Sequence, residues 1–373
     1  MSRRVIISVT NDLITDQRVE RACRTLNEQG YEILLIGRRS KDGFKLDRPY
    51  KLRLFRMLFS KGFFFYAEFN TRLFWTLLLE RKSLLYANDL DTLLPNFLVS
   101  KISLTPLVFD SHEYFTEVPE LQNRPYVNSF WEKLEAFIFP QLKNVITVNE
   151  KLATIYSEKY NVPVTAIKNV PELIPLEKFN SIETTVVRSD GESRKTLIYQ
   201  GALNLGRGIE LMIDCMELLP EVKLLIVGDG DISEELKMRV KTRNLEDRIA
   251  FTGRLMPENL KELTPTAAIG LSLEEDMGLN YRYALPNKIF DYIHAGIPVI
   301  VSDLPVMSDL VSQSEIGEIL KERTPKGLAE LIRTVLSNAA SYRENLGEAA
   351  RKFNWNEEKK VFQKFIERIE HLD

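Results

Sequence analysis

Short apolar runs alternate with helix-forming segments along nearly the whole chain. A β-branched run at 4–10 is followed by a helical pattern that closes at Gly30, and a second apolar run at 31–37 comes directly after it. This order of strand, helix and strand is the βαβ unit from which parallel sheets are built. Further apolar runs lie at 83–89, 105–111 and 144–149. The pattern therefore predicts a doubly wound parallel sheet in the first half of the chain.

The same alternation restarts after a connector. Residues 169–180 contain prolines and 181–195 are mostly polar, a composition typical of a link between domains. Apolar runs of strand type follow at 196–202, 221–231, 248–254, 267–273 and 297–303. The sequence predicts an N-terminal domain at 1–170, a C-terminal domain at 171–350 and a final amphipathic helix at 351–373 that packs back on the first domain.

Length agrees with this division, because 373 residues exceed what one hydrophobic core usually organises. Residues 1–170 carry 24 Lys and Arg against 19 Asp and Glu, whereas the rest of the chain is acidic. Most of the basic excess lies in 51–82, where basic side chains alternate with Phe, Tyr, Trp and Leu. Charges interrupt every stretch long enough to span a membrane. Two interpretations stay open: a core helix with solvated basic positions, or a contact with an anionic membrane surface.

The sequence predicts a cytoplasmic protein, peripheral at the inner membrane face if that contact exists. The N-terminal apolar run has only five residues, too few for the hydrophobic part of a signal peptide. Cys23 and Cys215 lie far apart in helical patterns, which argues against disulfides and thiolate metal sites. No nucleic-acid partner is expected.

The first candidate site follows the strand at 196–202. Doubly wound sheets bind ligands outside the carboxyl ends of their strands, where loops aim backbone N–H groups and helix N termini at phosphates. Gly201, Gly206 and Gly208 allow close backbone approach there, and Arg207 is predicted to open a helix. An arginine in this place can clamp a diphosphate, although a common glycine turn with a solvated arginine is the alternative.

The second candidate site is the helix start at 286–288. Its N terminus favours an anionic group, and Lys288 adds a positive charge. Asp291, one turn later, can accept hydrogen bonds from a ribose diol. The alternative is an ordinary helix with Lys288 and Asp291 as surface charges.

The third candidate site is the exit of a buried strand at 107–109, which places Asp110, Ser111, His112 and Glu113 on a loop. His112 is the one histidine of three placed for chemistry, because the other two lie inside helical patterns. The alternatives are a structural histidine and a helix cap by Asp110.

No metal site is predicted. The acidic segment 273–278 lacks the alternating ligands of a calcium loop, and no paired His or Cys spacing exists. Asp89 and Asp91 form an Asp-x-Asp pair that we interpret as accidental. No glycine-rich stretch ends in the Gly-Lys-Ser or Gly-Lys-Thr of a P-loop.

In order and spacing these segments resemble glycosyltransferase family 4, the retaining GT-B enzymes that include many bacterial polysaccharide and lipid-sugar transferases. The matching segments are 15–37, 109–121, 199–231, 251–255, 285–303 and the tryptophan-bearing final helix. The resemblance implies an α/β fold of two Rossmann-like doubly wound parallel-sheet domains facing a cleft. It also implies transfer of a sugar from a nucleotide diphosphate sugar to a glycan or lipid-linked acceptor in bacterial surface polysaccharide synthesis.

The resemblance further implies residue roles. The donor-binding residues would be Gly201, Arg207, Gly228, Arg254, Asn287, Lys288 and Asp291. The catalytic residues would be His112, which meets the sugar near its reactive carbon, with Arg207 and Lys288 on the diphosphate. Asn11, Asp12 and Glu113 would lie on the acceptor side. The chain departs from the family at Ala202, where an arginine is usual, and at Tyr283, where a glutamate is usual; Glu274 and Glu275 are candidates to serve the sugar instead.

The implied mechanism is front-face substitution with retention, in which the leaving diphosphate takes the acceptor's proton and no metal or other cofactor is required. Two alternatives stay open. A sugar-nucleotide 2-epimerase on the GT-B fold would release an epimer, and a non-catalytic sugar-nucleotide-binding scaffold would bind without turnover.

Overall fold

The structure is a computed structural model that describes residues 3–11, 13, 16–39, 47–122, 124–173 and 195–370. The chain divides into two compact units, one formed by Met1–Asn169 with Lys359–Asp373 and the other by Val170–Glu358. We call them the N-terminal unit and the C-terminal unit. Each is built on its own parallel sheet.

The N-terminal unit contains seven described strands, all parallel, in the order β3-β2-β1-β4-β5-β6-β7. They are β1 (Arg4–Ser8), β2 (Glu32–Arg38), β3 (Lys51–Phe55), β4 (Leu84–Asn88), β5 (Leu107–Ser111), β6 (Asn144–Thr147) and β7 (Val164–Ala166). Strands β1, β4 and β5 are almost completely buried, which explains their continuous apolar runs. The strand order reverses between β1 and β4, and such a reversal leaves a crevice at the carboxyl ends of the strands.

Helices connect these strands and cover the sheet. They are α1 (Gln17–Glu28), α2 (Gly62–Leu79), α3 (Leu90–Ser103), α4 (Pro119–Gln122), α5 (Pro125–Ile138) and α6 (Glu150–Tyr160). The Asp16 side chain caps α1 by accepting a hydrogen bond from the Val19 backbone at 3.1 Å. Gly30, with φ of 85°, follows the end of the helix, as the sequence predicted.

The C-terminal unit repeats the plan with six described strands in the order β10-β9-β8-β11-β12-β13. They are β8 (Thr196–Gln200), β9 (Lys223–Val227), β10 (Ile249–Gly253), β11 (Ile269–Ser272), β12 (Val299–Ser302) and β13 (Gly317–Leu320). The helices are α7 (Ile209–Cys215), α8 (Ser233–Thr242), α9 (Pro257–Leu263), α10 (Leu279–Arg282), α11 (Asn287–His294), α12 (Pro305–Ser314), α13 (Pro325–Ser337) and α14 (Arg343–Lys352). Here the order reverses between β8 and β11.

The last helix, α15 (Trp355–Glu370), begins in the C-terminal unit and continues into the N-terminal unit. In the N-terminal unit the Phe362 ring lies 6.3 Å from the ring of Tyr86, and the Tyr31 hydroxyl donates a hydrogen bond to Glu370. The end of the helix is thus part of the first core.

The predicted architecture of two doubly wound parallel sheets is confirmed. Each apolar run predicted as a strand forms one, but β3, β7 and β13 were not predicted. All three lie at sheet edges and bury few residues, so they lack the apolar run by which inner strands are recognised.

The basic aromatic segment 51–82 is neither a single helix nor fully buried. It forms the edge strand β3 and the helix α2. In α2, residues spaced four apart face the core, namely Phe65, Phe69, Leu73 and Leu77. Other large apolar side chains of the helix point outward. The interpretation of this segment as a core helix therefore holds for one face of α2 and not for the other.

Candidate functional site

In the C-terminal unit, two strand-end loops touch at glycines. Gly201 follows β8 and Gly228 follows β9, both with φ of 142°. A Cβ atom added to Gly228 would lie 1.8 Å from the Gly201 carbonyl oxygen, so no other residue fits there without movement of the backbone. The two predicted donor-binding glycines are therefore adjacent at the carboxyl edge of the sheet.

Arg207 lies between two glycines in the loop after β8. The helix α7 begins at Ile209, so the prediction that Arg207 opens the helix is wrong; Gly208, with φ of 71°, precedes it instead. A Cβ atom on Gly208 would lie 2.1 Å from the Leu273 carbonyl oxygen. The loop is therefore packed closely against the end of β11. The Arg207 guanidinium lies over the Tyr281 ring, 4.6 Å from its centre, with the side chain 25% exposed.

Lys288 is buried and held by a carboxylate. Its ammonium donates a hydrogen bond of 2.8 Å to Glu274 Oε1, and Glu274 is completely buried. Arg207 Nη1 lies 3.6 Å from the same oxygen, while Ser272 Oγ donates to Oε2 at 2.8 Å. We call Arg207, Lys288 and Glu274 the cationic cluster. With Lys288 only 8% exposed, the alternative of a surface lysine is wrong.

The pKa values in this cluster follow from burial and charge. Burial lowers the pKa of Lys288, and the charge of Glu274 only partly offsets this. Burial alone would raise the pKa of Glu274, but the charges of Lys288 and Arg207 outweigh it and hold the pKa below its ordinary value. Two cations thus share one buried anion, leaving a net positive charge at the carboxyl edge of the sheet.

The remaining predicted donor residues lie around the cluster. Asp291, half-buried on α11, accepts a hydrogen bond of 2.8 Å from Gln200 Nε2 at the end of β8. Asn287 is exposed in the first turn of the same helix. Arg254 is exposed beyond β10 and contributes to lowering the pKa of Asp229, after hydrogen bonds to that carboxylate. Arg254 follows the edge strand β10, which is separated from β8 by one strand in the sheet.

In the N-terminal unit, Asp110 is an ion-pair partner rather than a helix cap. Arg18 Nε donates to both of its carboxylate oxygens, at 3.1 and 3.0 Å, and Arg18 Nη2 donates at 2.6 Å. The Tyr86 hydroxyl donates to it at 2.7 Å. Burial would raise the pKa of Asp110, but Arg18, His112 and these hydrogen bonds outweigh it and lower the pKa.

His112 is fixed by groups at the ends of β4 and β5. Its backbone N–H donates to Asp89 Oδ1 at 2.8 Å, and its ring Nδ1 lies 3.3 Å from Asp89 Oδ2. The other ring nitrogen lies 3.1 Å from Asn88 Oδ1. Burial lowers the pKa of His112, and the charge of Asp110 opposes this. A neutral, oriented imidazole is the result.

His112 also lines a cavity of about 400 Å³ within the N-terminal unit, where the strand order reverses between β1 and β4. The lining residues are Thr10, Asn11, Arg38, Phe65, Tyr66, Asp89, Asp91, His112, Glu113 and Phe115. Asn11 and Glu113, both predicted on the acceptor side, are among them. Asp12 lies outside the described residues.

Comparison with known proteins identifies the C-terminal unit. Residues 184–353 match the sequence model of the family described as Glycosyl transferases group 1. The match covers a little under half of the chain and falls in the C-terminal unit, so this part of the chain is similar to a group 1 glycosyl transferase domain. The cationic cluster and both strand-end glycines lie within it.

Curated relatives agree with this assignment. The chain is 25% identical over 188 residues to a sulfoquinovosyl transferase of Arabidopsis thaliana (48% of this chain, 34% of the relative). An alpha-monoglucosyldiacylglycerol synthase of Streptococcus pneumoniae is 26% identical over 152 residues (39% and 32%). The chain thus spans about a third of the length of these two relatives.

Solved structures extend the likeness to the whole fold. A sucrose-phosphate synthase from Thermosynechococcus elongatus superposes with a TM-score of 0.78 at 15% identity, covering 100% of both chains. The Anabaena protein HepE in complex with UDP gives a TM-score of 0.70 at 14% identity, covering 98% of this chain and 100% of that one. At such identities the likeness shows the fold alone.

The sequence pattern did not predict several residues that lie around the cationic cluster. Arg323 donates to Ser302 Oγ at 2.9 Å and to the Leu273 carbonyl at 2.8 Å, and so joins the loops after β11 and β12. It follows β13, an edge strand that the sequence pattern does not reveal. Tyr199 lies under Lys288, with the ammonium 4.2 Å from its ring centre. Within the described ranges, no group of three or more His, Cys, Asp or Glu side chains is arranged to hold a metal ion.

Proposed function

We propose that the chain is a retaining glycosyltransferase of family 4, which moves a sugar from a nucleotide diphosphate sugar to a glycan or lipid-linked acceptor in bacterial surface polysaccharide synthesis. The observation that carries this proposal is the cationic cluster at the strand ends of the group 1 domain. A buried lysine and a partly exposed arginine beside close-packed glycines suit a diphosphate, whose oxygens need several donors at once. The names of the relatives, all of them transferases or synthases among those cited, support the same reaction class.

In the donor site, Arg207 and Lys288 bind the diphosphate together with the first-turn amides of α11 near Asn287. Gly201 and Gly228 let the ligand approach the backbone. Asp291 binds the ribose, and its bond from Gln200 orients the carboxylate. Residues near Arg254 face the base.

In the reaction, the leaving diphosphate carries away the charge that Arg207 and Lys288 stabilise, and it takes the proton of the acceptor hydroxyl. No carboxylate base and no metal are required in this proposal, because the two cations supply the electrostatic stabilisation. His112 contacts the transferred sugar near its reactive carbon. Burial lowers its pKa and so favours the uncharged ring, which adds no positive charge beside the sugar.

Calorimetric titration tests the donor site directly. We expect one of UDP, GDP, ADP, CMP and dTDP, with its sugar conjugates, to bind with micromolar affinity in the presence of EDTA. Arg207→Ala should weaken that binding about ten- to a hundredfold, as expected for loss of a charge-assisted hydrogen bond. Arg351→Ala, an exposed change on α14, is the control.

The outcomes separate the alternatives. No binding of any nucleotide, or unchanged affinity in Arg207→Ala, would overturn the donor site. Binding without transfer or hydrolysis would favour the scaffold. That alternative is supported by Ala202 and Tyr283, which stand where the family usually has an arginine and a glutamate. Release of an epimer from the bound sugar nucleotide would favour the epimerase.

We further propose that segment 51–82 contacts an anionic membrane surface. Large apolar side chains are exposed on α2 and on two other helices of the N-terminal unit, with Phe63 74%, Ile102 61% and Tyr126 92% exposed. Ring contacts such as Tyr66 with Trp131, at 5.5 Å, join α2 to α5. No described helix has the length and apolarity to cross a bilayer.

The charges around this apolar helix face are mainly basic. Arg53 pairs with Glu80 at 2.6 Å, which makes it a poor probe of membrane binding. Lys61 and Arg81 flank α2 in the sequence, Lys101 lies on α3, and all three are exposed. An amphipathic surface of this kind inserts its aromatic groups at the headgroup level, while each basic residue contributes about 1 kcal/mol on anionic lipid.

The triple variant Lys61→Glu, Arg81→Glu and Lys101→Glu is therefore expected to bind vesicles containing phosphatidylglycerol at least about a hundredfold more weakly than the native protein. Vesicle co-sedimentation measures this. A matched triple variant on the C-terminal unit, at the exposed Lys241, Lys261 and Lys321, has the same change of charge and should bind nearly as the native protein does. Equal losses in both variants, or none in the first, would contradict the membrane contact.

A further inference from the structure

One carboxylate oxygen in the cavity of the N-terminal unit lacks a partner. Asp91 lies in the first turn of α3, is 6% exposed and lines the cavity. Its Oδ2 accepts a hydrogen bond from the Thr10 hydroxyl, whereas its Oδ1 is buried with no hydrogen-bond partner. A buried polar atom left without a partner is destabilising, because its hydrogen bonds to water are lost and not replaced. A ligand that donates a hydrogen bond here would recover this free energy.

The other carboxylate groups of the cavity give it an acidic character. Asp89 is engaged by the backbone and ring of His112, and Glu113 lies on the neighbouring loop. Among the described lining residues, Arg38 is the one side chain with a permanent positive charge. Burial, followed by the nearby carboxylates, raises the pKa of Asp89 well above its usual value. Asp89 therefore favours its uncharged form, and above pH 7 an anionic ligand would meet the ionised carboxylate of Asp91.

The rest of the lining suits a sugar ring. Phe65, Tyr66 and Phe115 supply flat aromatic surface, and Thr10 and Asn11 supply short polar side chains. A volume of about 400 Å³ lies at the lower end of the range for small-molecule sites, which runs from about 300 to 1,000 Å³. The volume and the lining of the cavity therefore fit one small polar ligand that also has apolar faces.

We propose that Asp91 binds a hydroxyl group of the acceptor, and that the part of the acceptor in this cavity is an uncharged sugar rather than a phosphate or a uronate. The inference rests on the proposed function, since it assigns the acceptor of that reaction. A sugar hydroxyl donates to Asp91 Oδ1 and leaves its own oxygen as an acceptor for Arg38. An anionic group in the same place would instead meet the ionised carboxylate of Asp91.

Burial raises the pKa of Asp91 to about 7, so binding is best measured at pH 8, where the carboxylate is mostly ionised. Saturation-transfer NMR would compare the methyl glycosides of glucose, galactose and mannose with the corresponding uronates. We expect at least one neutral glycoside to bind about tenfold or more tightly than its uronate. Asp91→Asn should lower this ratio at least about threefold, because it removes the charge and keeps the shape.

The control is Glu132→Gln, which removes an exposed carboxylate on α5 and should leave the ratio unchanged. Uronates that bind as tightly as neutral sugars to the native protein would overturn the inference, whether or not Asp91→Asn folds. So would the absence of binding by every neutral glycoside, or an unchanged ratio in Asp91→Asn. The same samples are titrated with nucleotides: nucleotide binding without the sugar preference overturns this inference alone, whereas no nucleotide binding overturns the proposed function.

Discussion

Arg18→Met is expected to lower the free energy of unfolding of the N-terminal unit by about 3–5 kcal/mol at pH 7. The methionine approximates the volume of the arginine side chain but leaves Asp110 buried without its cation. Only the Tyr86 hydroxyl and the neighbouring His112 would remain near that carboxylate. Urea unfolding followed by tryptophan fluorescence measures the loss, because Trp75 and Trp131 both lie in this unit.

The effect should depend on pH in a defined direction. In the native protein the pKa of Asp110 is below its usual value, so its contribution to stability is present above the unfolded pKa of about 4 and is lost as the pH falls through the folded pKa. In Arg18→Met, burial without the cation raises that pKa instead, so ionisation then destabilises the fold as the pH rises. The difference between the two proteins should therefore shrink at acidic pH.

Arg39→Met is the matched control, because Arg39 is exposed just after β2. It should change the free energy of unfolding by no more than about 0.5 kcal/mol. A loss in Arg18→Met as small as this, or one that does not vary with pH, would show that the ion pair with Asp110 is not what stabilises the unit.

The inner strands and the positions of the site residues were predictable from the sequence for one physical reason. A strand buried on both faces needs a continuous apolar run, and the residue after the run lies at the carboxyl edge of the sheet. His112 and Gly201 were found in this way, after β5 and β8. Three of the four edge strands, β3, β7 and β13, bury too little to leave the same pattern, whereas the fourth, β10, was predicted from its run at 248–254.

The pairing of the site residues was not predictable in the same way. Lys288 and Asp110 could be assigned to strand or helix ends, but their partners Glu274 and Arg18 are chosen by the fold. Arg18 lies 92 residues from Asp110, so no local spacing joins them. Burial also decided between alternatives: spacing alone allowed a solvated Lys288, whereas the structure encloses it between a carboxylate and the Tyr199 ring.

Lys288→Met is expected to weaken nucleotide diphosphate binding about a hundredfold or more. The change removes a buried donor to the phosphates and leaves the negative charge of Glu274 facing the ligand, so attraction is replaced by repulsion. It should also destabilise the C-terminal unit, because Glu274 then retains only Arg207 and Ser272 as partners. Calorimetry with the nucleotide that the native protein binds, together with urea unfolding, measures both effects.

The double variant Lys288→Met and Glu274→Gln separates binding from folding. Removing the buried charge along with its partner should restore most of the lost stability, since replacing a whole buried ion pair costs far less than breaking it. Binding should stay about tenfold or more weaker than in the native protein, because the positive charge on the phosphates is still missing. If the double variant instead regains native affinity, Lys288 serves only to neutralise Glu274, and the diphosphate is bound by Arg207 and the helix amides without it.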